Sequence, residues 1–113
     1  MLTRLKKDFY MIHYYAIYDR KAKAFGELLG FGSPEKEAAQ RWFKDVIMSD
    51  QKSLLYRYPH DFDLFYIGFF DKKQGEFVLE VTDPETGMTA DIREFIINAG
   101  QFFADDGLDT LRI

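Results

Sequence analysis

The chain has 113 residues, no cysteine, 30% charged and 47% hydrophobic residues, and a formal net charge of −4. That length suits one domain around one core, and the missing cysteine excludes a disulfide framework, zinc–thiolate sites and thiol catalysis. The acidic sum weighs against a strong nonspecific nucleic-acid binder. Charge is unevenly spread, however. Residues 1–57 hold 11 Lys+Arg against 7 Asp+Glu, whereas residues 58–113 hold 4 against 12. A basic and an acidic face follow if the halves do not interleave; otherwise the charges only decorate solvated surfaces.

Residues 1–8 read as a short, basic, mobile lead with Arg4, Lys6 and Lys7. The apolar run from Phe9 to Tyr18 reads as a buried strand. It is too short to span a bilayer, and its flanks do not read as a signal peptide, so a soluble intracellular protein is expected. Asp19 to Lys23 end the strand. Gly26, Gly30 and Gly32 follow, without the Gly-Lys-Ser/Thr ending or the dinucleotide glycine order that a phosphate-binding loop needs.

Ser33 as N-cap, Pro34 at the first helical position and Glu35 and Glu37 in the first turn predict a helix over 33–49. Ala38 or Ala39, Trp42, Phe43, Val46 and Ile47 recur at helical spacing and form the stripe that lies on a sheet. Lys36, Arg41 and Lys44 fall on the outer, modestly basic side.

Tyr58-Pro-His leads into a second aromatic strand, then the loop Lys72-Lys-Gln-Gly75 and a further strand, a hairpin whose Gly suits positive φ. Strict alternation groups Phe65, Ile67 and Phe69 on one face, with Leu64, Tyr66 and Phe70 on the other. Phe77, Leu79 and Val81 should likewise share a face. Asp83-Pro-Glu-Thr-Gly87 reads as a turn. A second helix is expected from Thr89 or Ala90, with Ile92, Phe95, Ile96, Ala99 and Phe103 on one stripe, before an acidic tail over 105–113. The expected fold is α+β: a three-stranded, mainly antiparallel sheet packed against helix 33–49. The C-terminal helix and tail complete the core or mediate self-association.

Twelve Phe, seven Tyr and one Trp are many for one small core. Most should pack inside or between subunits, with some left exposed. Single-strand binders set aromatic platforms beside positive grooves. Tyr14, Tyr18 and Tyr66 with Arg20, Lys21 and Lys23 are the candidate platform and phosphate contacts, with Arg41 and Lys44 as further cations. The hairpin lacks the RNA-recognition signature of alternating Gly and aromatic residues. His60, Asp61 and Asp63 have metal-ligand chemistry, but neighbours on a turn diverge, and Asp61 better caps the turn. The carboxylate pairs Asp61/Asp63 and Glu76/Glu80 have no nucleophile or oxyanion binder beside them, so no enzyme activity and no cofactor are expected.

Two blocks carry a resemblance. Tyr15-Ala-Ile-Tyr-Asp-Arg-Lys-Ala22, followed by a helix with Ala39, Arg41 and Phe43, and the run from Tyr58 to Asp71 with Gly75, resemble the small nonstructural protein of gokushoviruses and related microviruses, phages with circular single-stranded DNA genomes. The likeness covers roughly residues 14–80. It implies a protein absent from the virion that assists viral DNA synthesis or the change to single-strand packaging in the bacterial host cytoplasm, and it brings no catalytic residues. Direct binding of single-stranded viral DNA is the first expectation. The alternative is a protein-interaction adaptor that recruits the viral replication protein, the procapsid or a host factor. A homo-oligomer that uses its aromatics in subunit contacts is a third reading, and no membrane partner is expected.

Overall fold

A computed structural model describes residues 10–32 and 35–103. Two long strands rich in aromatic and β-branched residues, which suit a pleated, half-buried surface, form its spine. β1 (Met11–Asp19) and β4 (Phe62–Asp71) pair antiparallel from Met11–Asp71 to Asp19–Phe62. β2 (Ala24–Phe25) and β3 (Leu29–Phe31) share the outer edge of β1. β5 (Glu76–Val78) and β8 (Glu94–Asn98) share the outer edge of β4, completing a six-stranded antiparallel sheet. β6 (Glu80–Thr82) and β7 (Thr89–Asp91) form a separate two-stranded ribbon.

The turns follow local chemistry. Asp71 accepts hydrogen bonds from the Lys73 and Gln74 amides, and Gly75 closes the loop at φ +69°. Asp83 does the same for Glu85, and Gly87 sits at φ +75°. These are the Asx turns and left-handed glycines that their sequences call for.

Helix α1 (Lys36–Ser49) lies on one sheet face. Its Ala39, Phe43 and Ile47, spaced one helical turn apart, are fully buried with Tyr15, Leu64 and Ala99. Trp42 is half-buried beside Phe31, and Phe43 meets Phe102 edge-on at 5.9 Å. The short helix α2 (Leu54–Arg57) is capped by Ser53, whose hydroxyl accepts from the Tyr56 amide, and Tyr56 packs on Phe103. A 3-10 turn (Pro59–Asp61) then delivers the chain into β4.

The architecture is mostly β and corrects the α+β expectation of three strands, one helix and a second C-terminal helix. The region from Thr89 forms β7 and β8; only residues 100–103 are helical, up to the end of the described segment. The helical spacing of Ile92, Phe95 and Ile96 was coincidental. β5 pairs with β4 only from Phe69 to Asp71, so the Asp63–Tyr66 stretch of β4 still presents an open edge, and β8 fills it. There Ile97 lies opposite Leu64 and Phe95 opposite Phe65. Backbone pairing plus apolar cross-strand contact outweighs a helical pattern in so short a segment.

A bulge corrects the expected faces of β4. Tyr14 lies opposite Gly68 and Tyr15 opposite Tyr66, skipping Ile67. One inserted residue reverses the alternation beyond it. Leu64, Tyr66 and Phe69 therefore share the helix-bearing face, and Phe65, Gly68 and Phe70 share the other. The expected Phe77–Leu79–Val81 face is also interrupted, because the chain leaves the main sheet at Leu79. Helix α1 takes Glu35 as its N-cap position. Ser33, Pro34, the basic lead with Arg4, Lys6 and Lys7, and the tail over 105–113 lie outside the described residues.

Candidate nucleic-acid interface

The sheet face opposite α1 carries rings and, among the described residues, no helix. Two clusters lie on it. In the first, Tyr14 meets Phe77 at 5.1 Å, and Phe77 meets Phe70 at 5.6 Å. Tyr14 can settle here because its neighbour on β3 is Gly30. A Cβ on Gly30 would stand 3.1 Å from Tyr14 Cε1 and 2.7 Å from Ile12 Cγ2.

The second cluster joins Tyr18, Phe25, Phe65 and Phe95 across four strands. Tyr18 and Phe25 lie 4.7 Å apart, Phe25 and Phe65 5.3 Å, and Phe65 and Phe95 5.8 Å. Ala16, directly opposite Phe65, is fully buried, and its small side chain lets the rings of three strands close together. Phe25 remains 38% exposed, Phe77 48% and Phe95 50%. Such mutual edge-to-face packing contributes roughly 0.5–1.5 kcal/mol per pair while leaving ring surface open to solvent.

Cations border the rings. The Arg93 guanidinium carbon lies 5.6 Å from the Phe25 ring centroid, and Lys73 Nζ lies 5.0 Å from that of Tyr10. Tyr18, Phe25, Phe65 and Arg93 enclose a shallow depression of about 270 Å³.

At the end of this face Arg20 grips Asp63 through two hydrogen bonds, Nε to Oδ2 at 2.8 Å and Nη2 to Oδ1 at 2.9 Å. Asn98 Nδ2 donates to Asp63 Oδ1 at 2.7 Å and lies 3.1 Å from the carbonyls of His60 and Phe62. Asp63 is 4% exposed. Its hydrogen bonds and charge push the Arg20 guanidinium further above its ordinary range. On the other face, burial pushes the Tyr15 phenol up, with Glu94 and Glu37 adding to the effect.

The sequence-predicted residues divide. Tyr14 and Tyr18 are half-buried on the open face. Arg20 is held to Asp63 through Nε and Nη2, with its side chain still 52% exposed. Lys21 and Lys23 are exposed in the β1–β2 turn, which Asp19 organises by accepting from the Lys21 and Ala22 amides; Lys23 has φ +57°. Tyr66 lies on the opposite face, hydrogen-bonded to His13 Nδ1 at 2.9 Å and edge-on to Tyr15. Arg41 and Lys44 are exposed on α1, behind the sheet, so neither joins the rings. Sequence reasoning missed Phe25, Phe65, Phe77, Phe95 and Arg93. The two-residue spacing of Arg93 and Phe95 was the available signal, hidden by the helical reading.

His60, Asp61 and Asp63 do not converge: the His60 ring packs on Gly100 while Asp63 turns to Arg20. Among the described residues no group of three or more His, Asp or Glu is placed to hold a metal ion, and no helix is long and apolar enough to cross a membrane. A second groove of about 460 Å³ lies on the helix-bearing side, among Asp19, Lys21, Leu54, Tyr58, Asp61 and Phe62.

Comparison with known proteins places the chain. The profile of the Phage ORF5 protein family matches residues 12–101. Protein ORF5 of Chlamydia phage 1 is 54% identical over 93 residues, 81% of this chain and 88% of that protein. No solved structure matches significantly. The matched span runs from the second residue of β1 through β8, taking in all five strands that carry the open ring face, and the chain belongs to the Phage ORF5 family of small bacteriophage proteins.

Proposed function

We propose that this protein is a non-enzymatic accessory that holds single-stranded viral DNA during genome replication or packaging in the host cytoplasm. The observation that supports it is the helix-free sheet face, where half-exposed rings from five strands lie beside Arg93, with Lys21 and Lys23 exposed in the β1–β2 turn at its end. Bases stacked on such rings contribute about 1–3 kcal/mol each, without regard to sequence. Stacking rather than phosphate contact carries the affinity, because the face offers few cations and the chain is net acidic.

Anisotropy of a labelled oligothymidine tests this. Two to four phosphate contacts on a single strand give a log–log salt slope of about −1.5 to −3. Lys21→Glu and Lys23→Glu weaken binding, and duplex of the same length binds more weakly because its bases are already stacked. Arg20 is unsuitable for this purpose, since its loss disturbs Asp63. Absence of binding at low salt removes the reading.

A second reading, an adaptor for a replication protein, procapsid or host factor, is favoured by the β6–β7 ribbon. Residues 79–92 hold Glu80, Asp83, Glu85 and Asp91 and no Lys or Arg. Glu80 and Asp91 stand directly opposite each other, a like-charge pair that Arg93 offsets in part at Asp91 and that a cationic protein surface would relieve further. Neutralising Glu80, Asp83 and Glu85, and leaving Asp91 in place because it holds Arg93, should abolish recovery of a specific protein from infected cells while leaving oligonucleotide binding in place. Unchanged recovery would remove the adaptor.

A further inference from the structure

We propose that the depression among Tyr18, Phe25, Phe65 and Arg93 is a subsite for one unpaired nucleobase, with Arg93 serving both the base and its neighbouring phosphate. This rests on the single-strand reading above and narrows it to one place on the face.

Size sets the class of ligand. The space is about 270 Å³, below the ~300–1,000 Å³ of pockets that enclose a drug-sized molecule. It takes a single planar ring system and leaves the attached sugar outside. Its walls are aromatic on three strands. Tyr18 and Phe25 are tilted by 53°, and Phe25 and Phe65 stand nearly perpendicular at 83°. Phe25 nevertheless stays 38% exposed, so ring surface remains available for an incoming base.

Arg93 supplies the selection. Its guanidinium lies over Phe25, and a stacked guanidinium still directs its N–H groups outward in its own plane. The arm is already positioned: the Arg93 amide donates to Asp91 Oδ1 at 2.8 Å, and its Nη2 lies 3.4 Å from Asp91 Oδ2. The side chain stays 47% exposed, so part of the fork remains available to an anion. A planar π-face beside a fixed cation fits a base carrying a phosphate. A cationic peptide would be repelled, and an uncharged side chain would leave the guanidinium unused.

The test is binding of labelled oligothymidine by the full chain, with Trp42 emission confirming that each variant is folded. Phe25→Leu keeps apolar bulk and removes the ring; Arg93→Gln keeps length and removes the charge. Each should weaken binding about tenfold, within the worth of one stacked base, whereas Arg41→Gln and Lys44→Gln on the far side should not. An abasic strand of equal length should bind wild type and Phe25→Leu alike. A 5-iodouracil strand should cross-link to Tyr18, Phe25 or Phe65. If wild type binds but both variants match it and cross-links fall elsewhere, the subsite is overturned and the DNA reading stands. If wild type does not bind at low salt, both fall. If Phe25→Leu instead abolishes a concentration-dependent dimer seen by light scattering, the depression belongs to a second copy of the chain and the subsite is overturned.

Discussion

Arg20 and Asp63 form a two-pronged ion pair whose partners differ sharply in exposure: the Arg20 side chain is 52% exposed and that of Asp63 only 6%. The asymmetry decides what each contributes. Removing Asp63 lets Arg20 turn to water, whereas removing Arg20 leaves a buried carboxylate with Asn98 as its side-chain donor.

Arg20→Gln should therefore destabilise more than Asp63→Asn. We expect about 3–5 kcal/mol for the first, the cost of stranding a buried charge, and about 1.5–3 kcal/mol for the second, the worth of hydrogen bonds to a charged group. The double variant should lose less than the sum. Lys36 and Glu94 also meet at 2.8 Å, but both are about half exposed, so breaking that pair should cost less than about 1 kcal/mol. Urea unfolding of the single and double variants checks the ranking, and equal losses at Arg20 and Asp63 would contradict it.

Phe43 is fully enclosed between Trp42, Phe102 and the sheet. Phe43→Ala should lose about 3–5 kcal/mol, read by Trp42 emission during denaturation. A loss under about 1 kcal/mol would mean that the core collapses onto the vacancy or is not packed as described.

Gly68 has no room for a side chain, because a Cβ there would collide with the Val78 carbonyl oxygen and press on Leu79. Gly68→Ala should push β5 off β4 and cost about 1–3 kcal/mol. Amide exchange should rise first at Val78, which pairs with Phe69. Gly75→Ala should also destabilise, but through its φ of +69° and without a steric neighbour.

Tyr15 makes stability fall in alkali. Tyr15 is 1% exposed and its pKa is raised from 10.0 by burial, with Glu94 and Glu37 adding to the effect. The native state thus holds this proton more tightly than the unfolded chain. Its contribution is complete below pH 10 and is lost as pH rises through the folded value. The urea midpoint should drop on passing from neutral pH to above pH 10, and Tyr15→Phe should drop less steeply. Parallel curves for the two proteins would refute the assignment.

Local chemistry was legible where it acts over a few residues. The Lys72–Gly75 and Asp83–Gly87 turns and the buried stripe of α1 could all be read, because Asx turns, positive-φ glycines and helical periodicity are written in neighbouring residues. The bulge at Ile67 was not legible, because it depends on which β1 residue lies opposite, and that is settled by long-range register. The mistaken helix at Thr89 has a similar origin. Ile92, Phe95 and Ile96 satisfy a helical stripe, and only the open Asp63–Tyr66 edge of β4 makes the extended form preferable. The candidate site inherited both errors. Tyr66 moved to the far face with the bulge, while Phe95 and Arg93 arrived with the strand.

The amino-acid sequence by itself determined the kinship, the two long aromatic strands, the covering helix and the excess of rings over what one small core can enclose. The tertiary structure alone decided which rings stay open, that Arg20 is held by Asp63 and that Arg93 reaches Phe25. The reason is physical. Strand propensity and turn geometry are properties of adjacent residues, whereas the face a side chain occupies and the partner it meets depend on register between segments dozens of residues apart.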